Sequence, residues 1–203
     1  MTVRKGEPWG EPGALPDDGV TVASDAAARR VVTDALRAQL PVPPLGLLGG
    51  DLCRTLGGRG DSAHLRSGAA TAATCDLGVA LLDGTLHWFV AHLVARRGWW
   101  RGRAWVAMNA AYVGRWDLGP RAHPGDGLLD ITDATVPVGE RLKVRARLPQ
   151  GAHLPHPALR TSRAKAAQVV LERALPVRLD GEVVGSFRSI SVRVEPDALR
   201  VVV

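Results

Sequence analysis

The apolar positions of this chain follow one rhythm up to about residue 73 and another after it. Val20-Thr-Val-Ala23 is a short apolar run that predicts a strand. Ser24 and Asp25 follow it and carry helix N-cap chemistry. Residues 26–39 contain no Gly or Pro, and Val31, Val32, Ala35 and Leu36 recur at helical spacing on one face. The pattern predicts a helix over 26–39, ended by Pro41, Pro43 and Pro44. Leu45–Leu48 is a second short apolar run, Gly49-Gly50-Asp51 a turn, and Leu52–Leu56 a short helix stopped by Gly57-Gly58. Strand, helix, strand, glycine turn and helix together outline an α/β nucleotide-binding segment.

Residues 1–19, rich in Gly, Pro and acids, read as an irregular arm, and residues 59–73 as a loop. From Asp76 the strand signals dominate. Asp76–Leu82 and Thr85–Val90 flank Asp83-Gly84, whose residues suit the positive φ angles of a tight hairpin turn. Val177–Val184 repeats that signal around Asp180-Gly181, and Ser189–Val194 and Ala198–Val203 read as two further strands. Arg141–Leu148 alternates basic and apolar residues, which fits a half-buried strand, and has fair helix propensity as well. No internal repeat is evident. The boundary between the α/β segment and the β-rich remainder falls near residue 73.

The chain has 203 residues with 26 Lys+Arg against 20 Asp+Glu, a formal net charge of +6. All but Lys5, Lys143 and Lys165 of the basic residues are arginine. This surplus favours an anionic partner without naming one. Cys53 and Cys75 are too few for a disulfide scaffold or a cysteine-based zinc site and suggest a reduced compartment. No apolar run reaches the roughly 18 residues of a membrane span, and the first ten residues lack the apolar centre of a secretory signal. The expected location is cytoplasmic, with peripheral contact at the inner membrane surface.

The passage richest in chemistry runs from Asn109 through Gly114, Pro120-Arg-Ala122 and Asp126-Gly127-Leu-Leu-Asp130. His153-Leu-Pro-His156-Pro157 and Asp180-Gly181-Glu182 follow in order. Together these resemble the diacylglycerol kinase and sphingosine kinase family, including its bacterial lipid kinases. Upstream, Gly49-Gly50-Asp51 followed by Leu52-Cys-Arg54-Thr55-Leu56-Gly57 is similar to the family's second phosphate loop, Gly-Thr-x-Asn-Asp, and the stretch after it. Ala23-Ser24-Asp25-Ala26-Ala27 stands where the family has Gly-Gly-Asp-Gly-Thr.

The resemblance implies an α+β fold. Residues 1–73 would be a truncated Rossmann-like nucleotide-binding segment, and residues 74–203 a β-sandwich-like C-terminal domain. It also tips Arg141–Leu148 toward helix. Its cofactors would be ATP and Mg²⁺, with Asp25, Gly49, Gly50 and Asp51 at the nucleotide, Asp126 at a metal site, and Asp180 and Glu182 as catalytic carboxylates. Glycine in a phosphate loop lets backbone N–H groups approach the phosphates. Ala23, Ser24 and Ala26 add bulk there, and no threonine hydroxyl follows. Each lost charge-assisted contact is worth roughly 1.5–3 kcal/mol.

The expected function is therefore a degenerate lipid kinase homologue that binds lipid or nucleotide with weak or no phosphoryl transfer. The partners are a lipid or anionic membrane surface and a second copy or complementing chain, with no specific nucleic acid. Two rivals are an active Mg-ATP-dependent lipid kinase with a rewritten loop, and a basic adaptor for anionic membrane or nucleic acid.

Other residues rank lower. His153 and His156 have ligand spacing but no third partner nearby, and read as loop packing. His87 and His92 flank Trp88 and Phe89 in a strand and read as packing or surface residues. Trp99-Trp100 among Arg96, Arg97, Arg101 and Arg103 suits a hairpin tip, or a headgroup interface.

Overall fold

Ser24 opens the first helix as its side chain predicts: its Oγ accepts the N–H of Ala27 at 3.2 Å. The computed structural model describes residues 9–98, 101–151 and 157–203. Within them the order is β1 (Glu11–Pro12), β2 (Val20–Val22), α1 (Asp25–Arg37), β3 (Leu45–Leu47), α2 (Asp51–Thr55), α3 (Ser62–Leu65) and β4 (Thr71–Leu82). β5 (Thr85–Phe89), β6 (His92–Gly98), β7 (Arg101–Met108), β8 (Tyr112–Val113), β9 (Trp116–Asp117) and β10 (Leu129–Ala134) follow. Then come α4 (Arg141–Arg147), β11 (Leu159–Ala164), β12 (Ala166–Leu179) and β13 (Glu182–Val202). The adjacent Trp99-Trp100 pair and His153 and His156 lie outside the described residues.

The structure is mostly β-sheet. β2 and β3 pair in parallel and α1 connects them, so this part is a strand–helix–strand unit. Its strand β3 then pairs in parallel with the end of β13, at Val201–Leu45 and Val202–Gly46. A core of Val32, Leu45, Leu47, Leu52, Leu199 and Val201 joins the helices to the sheet. The rest of the sheet runs β4-β13-β12-β6-β7-β10-β11, with β5 beside β4. It closes over a second core that includes Phe89, Leu93, Trp105, Leu129, Val177, Leu179 and Ile190. This is the β-sandwich-like part of the molecule.

Both Asp-Gly turns form as their residues predict. Asp83 and Gly84 have φ of 46° and 86°, and Asp180 and Gly181 have 52° and 87°. Arg141–Arg147 is helical, because Val144 and Leu148 fall four apart and pack together with Trp116. Two expectations change. Residues 59–73 are not all loop: Asp61 caps the one-turn helix α3, Leu65 is buried, and β4 already begins at Thr71. The two strands expected after Ser189 are one, β13, with a register shift between Glu195 and Leu199. Pro196 lacks a ladder donor and Asp197 sits at φ 57°, so the irregularity is a bulge that the strand crosses without ending.

Candidate functional site

The sequence sets Asp25 just inside the start of α1 and Gly50 just before α2. The fold presses these two places together. One Asp25 carboxylate oxygen accepts the N–H of Asp51 at 2.5 Å and the other that of Leu52 at 3.1 Å. Gly50 has a φ of 100°, and a Cβ added there would strike the Asp25 carboxylate. A Cβ on Gly49 would stand 2.7 Å from the Ala23 carbonyl oxygen. The glycines therefore allow one loop to seat against the other. The N–H groups at the start of α2 donate to Asp25, and Ser24 takes an N–H at the start of α1. A triphosphate cradle needs open backbone donors and space between such loops. Here the N–H groups of Asp51, Leu52 and Ala27 are engaged and the loops touch, so the junction is not an open triphosphate cradle.

Asp51 lies at the start of α2 with its carboxylate turned to the sandwich. Gly114 N–H donates to both oxygens, at 3.0 and 2.9 Å, and His92 Nε2 lies 2.9 Å from Oδ2. Arg54 reinforces the same junction: it donates to the Gly114 carbonyl at 2.8 Å and stacks 3.8 Å from the centre of the Tyr112 ring. His92, at the first position of β6, is 2 % exposed. Asp25, Asp51 and His92 offer ligand atoms within 4.8 Å of one another, close enough to share one cation.

Asp180 completes this buried group from the turn between β12 and β13. Its carboxylate accepts the N–H groups of Val90, Ala91 and His92 at 3.0, 2.8 and 3.1 Å. Arg29 Nε lies 3.7 Å from it. Burial pushes the Asp180 carboxyl up to about 6, against the pull of His92 and the three donors. Burial also raises Asp25, despite its two N–H donors. For His92, burial opposes the charged ring, but the hydrogen bond to Asp51 and the charges of Asp180, Asp51 and Asp25 outweigh it and raise its pKa. For Asp51, burial is outweighed by His92, Gly114 N–H and Arg54, and its pKa falls. The carboxylates around His92 thus favour the charged form of its ring, while its buried Nδ1 has no hydrogen-bond partner among the described residues.

Glu182 sits at the rim. Arg29 and Arg30 of α1 reach its two oxygens at 2.5 and 2.7 Å. Asp126 is elsewhere. It accepts the N–H of Leu128 at 3.0 Å, closing its own turn, and pairs with Arg163, which also reaches Asp130. The neighbouring Gly127 N–H donates to buried Asp76 at 2.7 Å. Asn109 supports the same knot by donating to the carbonyls of Asp76 and Val90. The structure therefore gathers Asp25, Gly50, Asp51 and Asp180 around His92, sets Glu182 beside them through Arg29, and places Asp126 in a separate ionic group.

Residues 81–203, more than half of the chain, match the profile of the YegS C-terminal NAD kinase beta sandwich-like domain. The chain belongs to that family. Asp126-Gly127-Leu-Leu-Asp130 and Asp180-Gly181-Glu182 both fall inside the matched residues, so the lipid kinase-like family expected from these motifs is the one found. The fold is shared with solved structures from Bacillus anthracis str. Sterne. One, of a protein assigned as a diacylglycerol kinase, superposes with a TM-score of 0.71 at 14% identity, over 91% of this chain and 77% of that one. Another, described as a diacylglycerol kinase, gives 0.62 at 15% identity over 91% and 75%. At such identity the likeness is one of fold. No curated protein matches the chain. Among the described residues no helix is long and apolar enough to cross a membrane.

Two members of the site were not legible in the sequence as such. His92 reads as a packing residue in a strand, because nothing in its neighbours announces a carboxylate partner 41 residues away. Arg29 is one of many arginines, and only the fold puts it against the turn that carries Asp180 and Glu182.

Proposed function

We propose that this chain is a degenerate member of the lipid kinase-like family: a binding protein for a lipid or nucleotide with little or no phosphoryl transfer. In this reading residues 1–73 carry a Rossmann-like nucleotide-binding segment, and residues 74–203 the β-rich lipid kinase domain. Phosphoryl transfer is mostly positioning and charge stabilisation, and it needs open donors for the phosphates and carboxylates free to hold a metal. The observation that carries the reading is the closed state of those groups. Asp25 caps α2, Asp51 is held by His92 and Gly114, and Asp180 by three backbone donors. Both oxygens of Glu182 are taken by arginines. The parallel β2–α1–β3 unit supports the Rossmann-like segment, and the net charge of +6 supports an anionic membrane surface as partner.

The test is thermal denaturation with Mg-ATP up to millimolar concentration, beside a phosphorylation assay on dispersed diacylglycerol. A ligand at one hundred times its dissociation constant stabilises by about 2.7 kcal/mol. Little or no labelled lipid is expected, and a nucleotide-dependent shift without it would identify nucleotide as the bound ligand. A clear shift that Asp25→Asn abolishes, together with labelled lipid, would establish an active kinase and overturn the reading.

A further inference from the structure

Along the flank of α1 that faces β5 and the start of β13 runs a groove of about 350 Å³. Arg29, Arg30, Thr33 and Arg37 line it from the helix, and Trp88 and Val184 form its apolar wall. Residues 30, 33 and 37 recur at helical spacing, so they project along one flank. Glu182 accounts for two of the three cations, through Arg29 at 2.5 Å and Arg30 at 2.7 Å. Arg37, in the last turn of the helix, has no ion pair among the described residues. Of the paired arginines, Arg30 is the looser: its side chain is 58% exposed, against 13% for Arg29. An exposed pair of this kind is weak and readily exchanged.

His87 stands on the same wall. Burial, and then the charges of Arg37 and Arg29, hold its imidazole below the usual range. Arg37 is thus the groove cation that Glu182 does not offset, with Asp34 on the groove's edge. Arginine guanidinium matches phosphate oxygens with paired donors, a hydroxyl such as that of Thr33 adds a further donor, and an indole wall suits an organic substituent. The volume fits a headgroup rather than a polymer. The carboxylates of Asp34 and Glu182 along the groove would repel the continuous backbone of a nucleic acid.

We propose that this groove is a seat for a phosphate monoester, gripped by Arg37, Thr33 and Arg30, with its organic part against Trp88 and Val184. The seat belongs to the outer flank of α1 and is independent of nucleotide binding at the Asp25–Asp51 junction, so it goes beyond the function proposed above. Such an ester comes either as a free metabolite or as the headgroup of a phospholipid.

The experiment uses the whole chain and two probes, glycerol 3-phosphate in solution and phosphatidylcholine vesicles with and without phosphatidic acid. Saturable binding of either probe is expected, weakened about tenfold by Arg37→Gln and less by Thr33→Val. Both substitutions are on the helix surface, and an unchanged melting curve verifies the fold. The His87 ring proton resonance provides a second readout. Its titration midpoint rises when the phosphate binds, and rises in Arg37→Gln without ligand, since each removes net positive field. Glycerol 3-phosphate alone bound identifies a soluble ester, and preference for phosphatidic acid vesicles a lipid headgroup; both support the seat. It is overturned if neither probe binds, if Arg37→Gln binds as wild type, or if a DNA duplex competes with equal affinity. Failure of Mg-ATP to bind leaves this result untouched.

Discussion

His92 Nε2 lies 2.9 Å from Oδ2 of Asp51, and this single contact ties the first residue of β6 to the first residue of α2. It joins the sandwich to the strand–helix–strand unit through a part-buried hydrogen bond. Asp25 approaches the same ring from α1 and Asp180 from the β12–β13 turn. The ring thus faces carboxylates contributed by three separate elements.

Replacing His92 by Gln leaves these carboxylates without their counter-ion. Breaking one partner of a buried pair costs about 3 kcal/mol or more. The pH dependence has a definite sign. The folded pKa of His92 is raised, so its contribution is complete below about 6.5 and is lost as pH rises through the raised value. Asp51 is lowered, so its contribution is present above about 3.8 and lost as pH falls through its depressed value. Urea denaturation of wild type at pH 6 and pH 9 is expected to show higher stability at pH 6. In His92→Gln that difference shrinks; an equal difference in both proteins would refute the role.

Asp180 has the opposite character to Asp51. Its carboxyl is pushed up to about 6 by burial, above the ordinary 3.8. The folded protein therefore holds this proton more tightly, and stability from this group falls as pH rises from about 4 to about 6. Asparagine retains one acceptor oxygen for the N–H groups of residues 90–92 and tolerates the φ of 52°. Asp180→Asn is expected to flatten the denaturation midpoint between pH 4 and pH 6. A profile that stays as steep as wild type would show that another group titrates there.

Gly50 holds a φ of 100° with the Asp25 carboxylate where a side chain would begin. Gly50→Ala forces a strained backbone and displaces the cap of α2. The expected loss is more than about 1 kcal/mol, read as a lower urea midpoint with unchanged slope. A neutral result would mean that the two loops are not packed together as found.

Gly78 on β4 leaves room for the ring of Phe89, which a Cβ would overlap. Gly78→Ala is expected to destabilise by about 1–3 kcal/mol through overpacking. Combining it with Phe89→Leu relieves the clash, so the double variant is more stable than the sum of the single changes, by about 0.5 kcal/mol or more. Strict additivity would count against this contact.

Local signals alone placed much of the framework. The cap at Ser24, the proline stop after α1 and the two Asp-Gly turns are short-range effects in which each residue acts on its immediate neighbours. The motifs at Asp126–Asp130 and Asp180–Glu182 also pointed to the family, because their order along the chain is itself the signal. What the residues could not disclose is how those carboxylates are used. That Asp25 caps α2 has no local signal, because the two are 26 residues apart. Nor does one announce the pairing of Asp126 with Arg163, 37 residues on. His92 and Arg29 gain their partners only when β6, α1, α2 and the β12–β13 turn meet. A side chain's protonation and pairing depend on burial and on charges distant in sequence, and folding alone brings those together.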